Sequence, residues 1–149
     1  MYLLIARTLA VLGLFFCAAL AHAADIQIKM LNKSDTDGLF AFEPTYVKAS
    51  VNDTLVFIPT DPSHNTLSLL VPSGAQPWRS PYDKEFRVKL DKEGVYLYAC
   101  DAHKKMGMVG IVQVGNAANL DEARKKVAEE SAAMLMNKDR FTKAFDKVQ

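Results

Sequence analysis

The sequence predicts a mostly β fold, an antiparallel sandwich or barrel followed by a pair of C-terminal α-helices. Three observations predict it. Between Asp25 and Gly115, short runs of alternating apolar and polar residues recur, separated by turn clusters roughly ten residues apart. Five of the six prolines fall between Pro59 and Lys84, which excludes a helical middle. From Asn116 onward there is no glycine or proline and helix formers dominate.

The elements follow in order. DIQIKMLN, Asp25 to Asn32, sets Ile26, Ile28 and Met30 against Gln27 and Lys29, the period of a half-buried strand. KSDTDG is a turn, and FAFEPTYVKAS is extended chain interrupted at Pro44. VNDT turns at Asn52-Asp53 into TLVFI, a strand stopped by Pro59. The proline-rich stretch reads as loop, with a short strand near Asn65 to Leu69. EFRVKL alternates Phe86, Val88 and Leu90, and DKEG turns the chain again. In VYLYAC, Val95, Leu97 and Ala99 face one way and Tyr96, Tyr98 and Cys100 the other. VGIVQVG is the last strand, making seven or eight in all. Asn119 and Glu122 read as a capping box opening a helix whose apolar stripe is Leu120, Ala123, Val127, Met134 and Leu135. Phe141, Ala144, Phe145 and Val148 mark a second helix after Asn137, and Met134 and Met136 read as packing residues.

Residues 1–23, MYLLIARTLAVLGLFFCAALAHA, read as a cleaved secretory signal peptide. Arg7 precedes an apolar run from Leu9 to Leu20, and Ala21-His22-Ala23 gives the cleavage pattern before Ala24. The run is about 12 residues, whereas a membrane span needs about 20, so no stable membrane association is expected after cleavage. Bulky Phe15 and Phe16 before Cys17 argue against a lipoprotein signal. Residues 24–115 are then the sandwich, and 116–149 a helical extension packed on it within the same domain. Loss of Arg7 leaves 17 basic and 17 acidic residues, a balance that excludes a nucleic-acid partner chosen by net charge. One cysteine remains, Cys100, with two histidines, His64 and His103. In an oxidising compartment an unpaired cysteine is a buried thiol, an intermolecular disulfide or a metal ligand.

CDAHKKMGM, Cys100 to Met108, decides among these. The loop joins the last two strands at one end of the sandwich, and the upstream loop can bring His64 to the same end. One thiolate, two imidazoles and a weak thioether compose a trigonal His₂Cys site with an axial methionine, the donor set of a blue-copper electron-transfer centre. Soft sulfur favours Cu(I) and imidazole suits both oxidation states. Structural zinc would demand a fourth cysteine, histidine or carboxylate, and haem attachment would need Cys-x-x-Cys-His. Met106 and Met108 compete for the axial place; Met108 directly precedes the last strand and is anchored by it. Asn65, beside His64, is placed to tie the two ligand loops with its amide and to aim its N–H at the Cys100 sulfur. A copper chaperone, a copper enzyme and a purely structural domain are the alternatives. An enzyme would need a second site, for which no histidine is left.

With MLNK, FEP, FIPTD, HN, GVY, the Cys-x₂-His-x₂-Met-Gly-Met run, VGIVQVG and the two-helix tail, the mature chain resembles the cupredoxins, and within them the pseudoazurins. The resemblance implies a Greek-key sandwich holding one type 1 copper ion, with His64, Cys100, His103 and Met108 as ligands. It implies a periplasmic one-electron carrier, not an enzyme, serving copper nitrite reductase, with cytochromes as other partners. His103 is expected to lie nearest solvent, in an apolar rim for which Pro44, Pro72, Pro81 and Gly107 are candidates. Two departures stand out. Ala102 occupies the place before the second histidine where the family usually has proline, and its N–H is expected to reach the thiolate and raise the reduction potential. The family's lysine ring is altered, leaving Lys33, Arg79, Lys104 and Lys105 as candidate docking residues for an acidic partner.

Overall fold

A computed structural model describes residues 23–149, so the leader, apart from its last residue, lies outside the described residues. Eight strands form two four-stranded sheets. They are β1 (Asp25–Ser34), β2 (Gly38–Glu43), β3 (Tyr46–Ala49), β4 (Thr54–Pro59), β5 (Leu67–Leu70), β6 (Phe86–Lys89), β7 (Gly94–Ala99) and β8 (Val109–Val114). One sheet runs β2-β1-β4-β6 and the other β3-β8-β7-β5. Helices α1 (Leu120–Ala133) and α2 (Arg140–Phe145) follow. Among the described residues, no helix is long and apolar enough to cross a membrane.

The sandwich is mixed and not purely antiparallel: β1 pairs with β4, and β3 with β8, in parallel. Alternation in a sequence records which face a side chain takes, but not the direction of the neighbouring strand. The chain changes sheet between β2 and β3, which lays β3 along β8 in the same sense.

Strand β7 lies at the centre of the packing, buried along its whole length. Its Tyr96, Tyr98 and Cys100 side faces the other sheet. There the Tyr98 ring meets Phe42 and Phe57 edge-on at 4.9 and 5.1 Å between centroids. Its Val95, Leu97 and Ala99 side packs under the helices, with Ala123, Val127 and Phe141. Each large apolar side chain so enclosed contributes about 1.5–3 kcal/mol.

The helices depart from expectation in two places. Asn119 makes no capping bond to α1; its Oδ1 accepts from Val95 N at 2.7 Å and its Nδ2 donates to Val95 O at 3.0 Å, so it pins the start of β7 instead. The stripe ends with Met134, which is buried; Leu135 is 74 % exposed and Met136 41 %. The reason is local: Met134 takes an extended conformation, φ −74°, ψ 145°, so the helical period stops there.

Two pairings place the site. Antiparallel β7 and β8 are in register at Ala99 and Val109, so residues 100–108 bridge their ends. Leu67 of β5 lies opposite Ala99, which carries the preceding His64 segment to that same end.

Candidate metal centre

Cys100 closes β7 and is fully buried, as is His64. Its N–H donates to Met108 O at 3.1 Å, extending the β7–β8 ladder by one rung. The chain then turns through a short 3₁₀ segment, Lys104–Met106, that starts at His103. Met108 N returns to His103 O at 3.1 Å. These bonds set the sulfur, the second imidazole and Met108 around a single turn.

His64, Cys100 and His103 form a cluster of metal-binding donors. Their facing atoms lie 3.2 Å apart between the two Nδ1 nitrogens, and 3.7 and 3.9 Å from Cys100 Sγ to His103 and His64. A circle through three points so spaced has a radius of about 2.1 Å, the length of a bond from a first-row divalent metal to imidazole nitrogen or thiolate sulfur. The donor types and their spacing thus fit a metal ion. Burial pushes the pKa of both imidazoles down, aided at His64 by the charge of His103. Both rings are thereby neutral and ready to coordinate at neutral pH.

The two methionines differ in kind. Met108 is fully buried in the same cluster as Cys100, while Met106 is 36 % exposed. His64 Nε2 is buried without a hydrogen-bond partner in the protein. His103 is the half-buried member of the trio, nearest to solvent as expected.

Residues 28–115 match the copper-binding proteins of the plastocyanin/azurin family. Pseudoazurin of Paracoccus pantotrophus is 37 % identical over 131 residues, 83 % of this chain and 90 % of that protein. The chain belongs to the pseudoazurin family. Pseudoazurin of Methylorubrum extorquens is 40 % identical over 121 residues, covering 79 % of this chain and 81 % of its own. The crystal structure of native pseudoazurin from Hyphomicrobium denitrificans superposes with a TM-score of 0.74 at 36 % identity, covering 84 % of this chain and 98 % of that one. The cupredoxin fold with its two-helix tail is thus confirmed, and with it a blue-copper electron-transfer protein. The cofactor is copper, and His64, Cys100, His103 and Met108 form the pattern of a type 1 site.

Around this centre the other expected residues divide. Asn65 ties the two ligand loops: its Nδ2 donates to Asp101 Oδ2 and its Oδ1 accepts from Asp101 N, each at 2.9 Å. The bond expected from Asn65 N–H to the Cys100 sulfur is not among the hydrogen bonds of the structure. A bond from the Ala102 N–H to that sulfur is likewise not among the hydrogen bonds of the structure. Arg79 is paired with Asp101, and Lys104 with Glu130 at 3.2 Å. Lys33 and Lys105 are exposed. Of the rim candidates, Pro44 and Pro81 are exposed, whereas Gly107 is buried. Pro72 is buried against Gly94 at the start of β7, away from the loops.

Sequence reasoning missed Phe40. Its ring stacks on His103 with centroids 4.2 Å apart and planes 15° from parallel. Phe40 belongs to an alternating strand segment and reads as ordinary core. Its positive φ of 49°, rare outside glycine, has no signal in the sequence.

Proposed function

We propose that this chain is a periplasmic one-electron shuttle whose copper is held by His64, Cys100, His103 and Met108. The observation that carries the proposal is the triangle of two Nδ1 atoms and one Sγ, sized for a metal ion, with Met108 buried in the same cluster as Cys100. Copper, when bound, supplies a Cu(II)/Cu(I) couple that takes up and releases one electron. The protein's part is to keep one donor geometry for both states. Cys100 is fixed by the β7–β8 ladder, and His64 by the bonds around its own backbone. Donors that do not move between states keep the reorganisation that accompanies transfer small.

Residues 1–23 serve as the cleaved leader, and 24–149 fold as one domain, the sandwich of 24–115 with the extension 116–149. The partner is a redox enzyme of denitrification, copper nitrite reductase foremost and a cytochrome as the alternative, met at the His103 end in a transient complex. Lys33 and Lys105 carry the attraction for an acidic partner. Arg79 and Lys104 add less, because Asp101 and Glu130 neutralise them.

The visible spectrum of copper-loaded, oxidised protein tests the copper assignment. An intense thiolate-to-copper band that one-electron reductants bleach is expected, and a colourless copper complex would refute it. Nitrite-dependent reoxidation by copper nitrite reductase, slowed by added salt, then tests the partner; a rate independent of ionic strength would exclude steering by Lys33 and Lys105.

A further inference from the structure

Arg140, the first residue of α2, is a cation only 7 % exposed, and no carboxylate is paired with it among the described residues. Its fork is filled by main-chain carbonyls. Nη1 donates to Phe40 O at 2.5 Å and Gly107 O at 2.6 Å; Nη2 donates to Leu39 O at 2.9 Å and to Asp37 O. Three residues earlier, Asn137 Nδ2 donates to Met106 O at 2.8 Å and Leu39 O at 3.3 Å. Leu135 N adds a bond to Lys105 O at 2.7 Å. One short tail segment, 135–140, thus gathers carbonyls from two separate places: the turn that enters β2 and the ligand loop.

Two further observations mark this as a constructed contact. Gly107 has a φ of +79°, and a Cβ there would meet Asn137 Cβ at 2.7 Å and Met136 O at 2.9 Å. The ligand loop approaches the tail as closely as a bare backbone allows. Phe40 sits in the left-handed region, φ 49°, which is unfavourable for a residue with a Cβ, and its own carbonyl is one that Arg140 holds. The Phe40 ring lies flat against His103.

We propose that Arg140 is a positioning residue for the copper site: by bonding Phe40 O and Gly107 O with one nitrogen, it locks the Phe40 ring onto His103 and fixes the Met106–Met108 turn. The proposal rests on His103 being a copper ligand. A planar fork with five donors can serve four carbonyls at once, whereas a lysine ammonium is a single point on a flexible stem. Burial alone would discharge the group more readily, while Asp37 and Asp139 act the other way; a guanidinium stays charged throughout the ordinary pH range. By covering one face of His103, the ring excludes water. The oxidised site carries more charge and gains more from hydration, so a dry face favours the reduced state.

The test compares Arg140→Lys, which keeps the charge and breaks the fork, with Phe40→Leu. In copper-free protein, amide exchange at Gly107 and Met108 should quicken about tenfold in Arg140→Lys, with Leu97 and Tyr98 in β7 unchanged. In copper-loaded protein both variants should lower the reduction potential, and the double variant should fall no further than Phe40→Leu alone. An unchanged or raised potential in Arg140→Lys, or strictly additive shifts, overturns the proposal. If Arg140→Lys does not fold, Asn137→Ala removes the two outer bonds without disturbing the buried charge. It should show the same exchange pattern at smaller amplitude, and no change there is equally decisive against. A wild-type protein without the blue band would remove the copper assignment, leaving the copper-free exchange comparison to judge the clamp on the loop.

Discussion

The two segments that carry the donors are held by different means. Around His64 the restraints come from the neighbouring loop of the sandwich. Asp83 Oδ1 accepts from Ser63 N at 2.6 Å and His64 N at 3.1 Å, and Asp83 N donates to His64 O at 2.9 Å. Ser80 brackets Thr66 in the same way, through its N–H at 2.8 Å and its hydroxyl at 2.9 Å. Around Lys104 to Gly107, the turn between Cys100 and Met108, restraints come from the tail, through Asn137, Arg140 and Glu130. The first segment is therefore rigid wherever the sandwich is intact. The second depends on helices that join the fold only after the last strand. Asn65 and Asp101 are the rivet between the two.

Gly107→Ala attacks the tail-held side and should have the largest effect. It combines a left-handed penalty of about 1–2 kcal/mol with overpacking of similar size against Asn137, so a loss of about 3 kcal/mol in urea unfolding is expected. Asn65→Ala removes the rivet. The loss should be about 2 kcal/mol in urea unfolding, and copper affinity, read by competition with a chelator, should fall about tenfold.

Glu130→Gln separates the halves by pH. Glu130 is 7 % exposed and accepts from Lys126 at 2.9 Å and Lys104 at 3.2 Å. Burial by itself would raise its pKa, but the two ammonium groups together bring it below the usual carboxylate value. The folded value is thus lower than the unfolded one, about 4.3. Its contribution is complete above that pH and disappears as the pH falls through the folded value. The stability gap between wild type and Glu130→Gln should be about 1 kcal/mol at pH 7 and close to zero in strong acid. The smallest effect belongs to Ala102→Pro. Because no bond from the Ala102 N–H to the Cys100 sulfur is present, potentiometry should find an unchanged reduction potential; a clear drop would mean that this N–H does reach the thiolate.

What could be read from the sequence was whatever repeats or stands alone. The alternation in VYLYAC foretold both packed faces of β7, and Cys100 beside His103 and Met108, with so few other donors after residue 23, pointed to copper. Strand direction was not legible, because β1 beside β4 and β3 beside β8 depend on where the chain crosses between sheets. Arg140 and Glu130 were equally hidden. Charged residues on a helix read as its wet face, and only the carbonyls and ammonium groups converging from elsewhere permit their burial. Leu135 failed in the opposite sense: the apolar period runs on in the sequence, while the backbone leaves the helix one residue sooner.

With no solvent-facing side, β7 also sets a condition on biosynthesis. Until the final residues leave the ribosome, Val95, Leu97 and Ala99 form a greasy seam open to any neighbour. Export in an unfolded state would postpone that hazard until the whole chain has arrived where it matures.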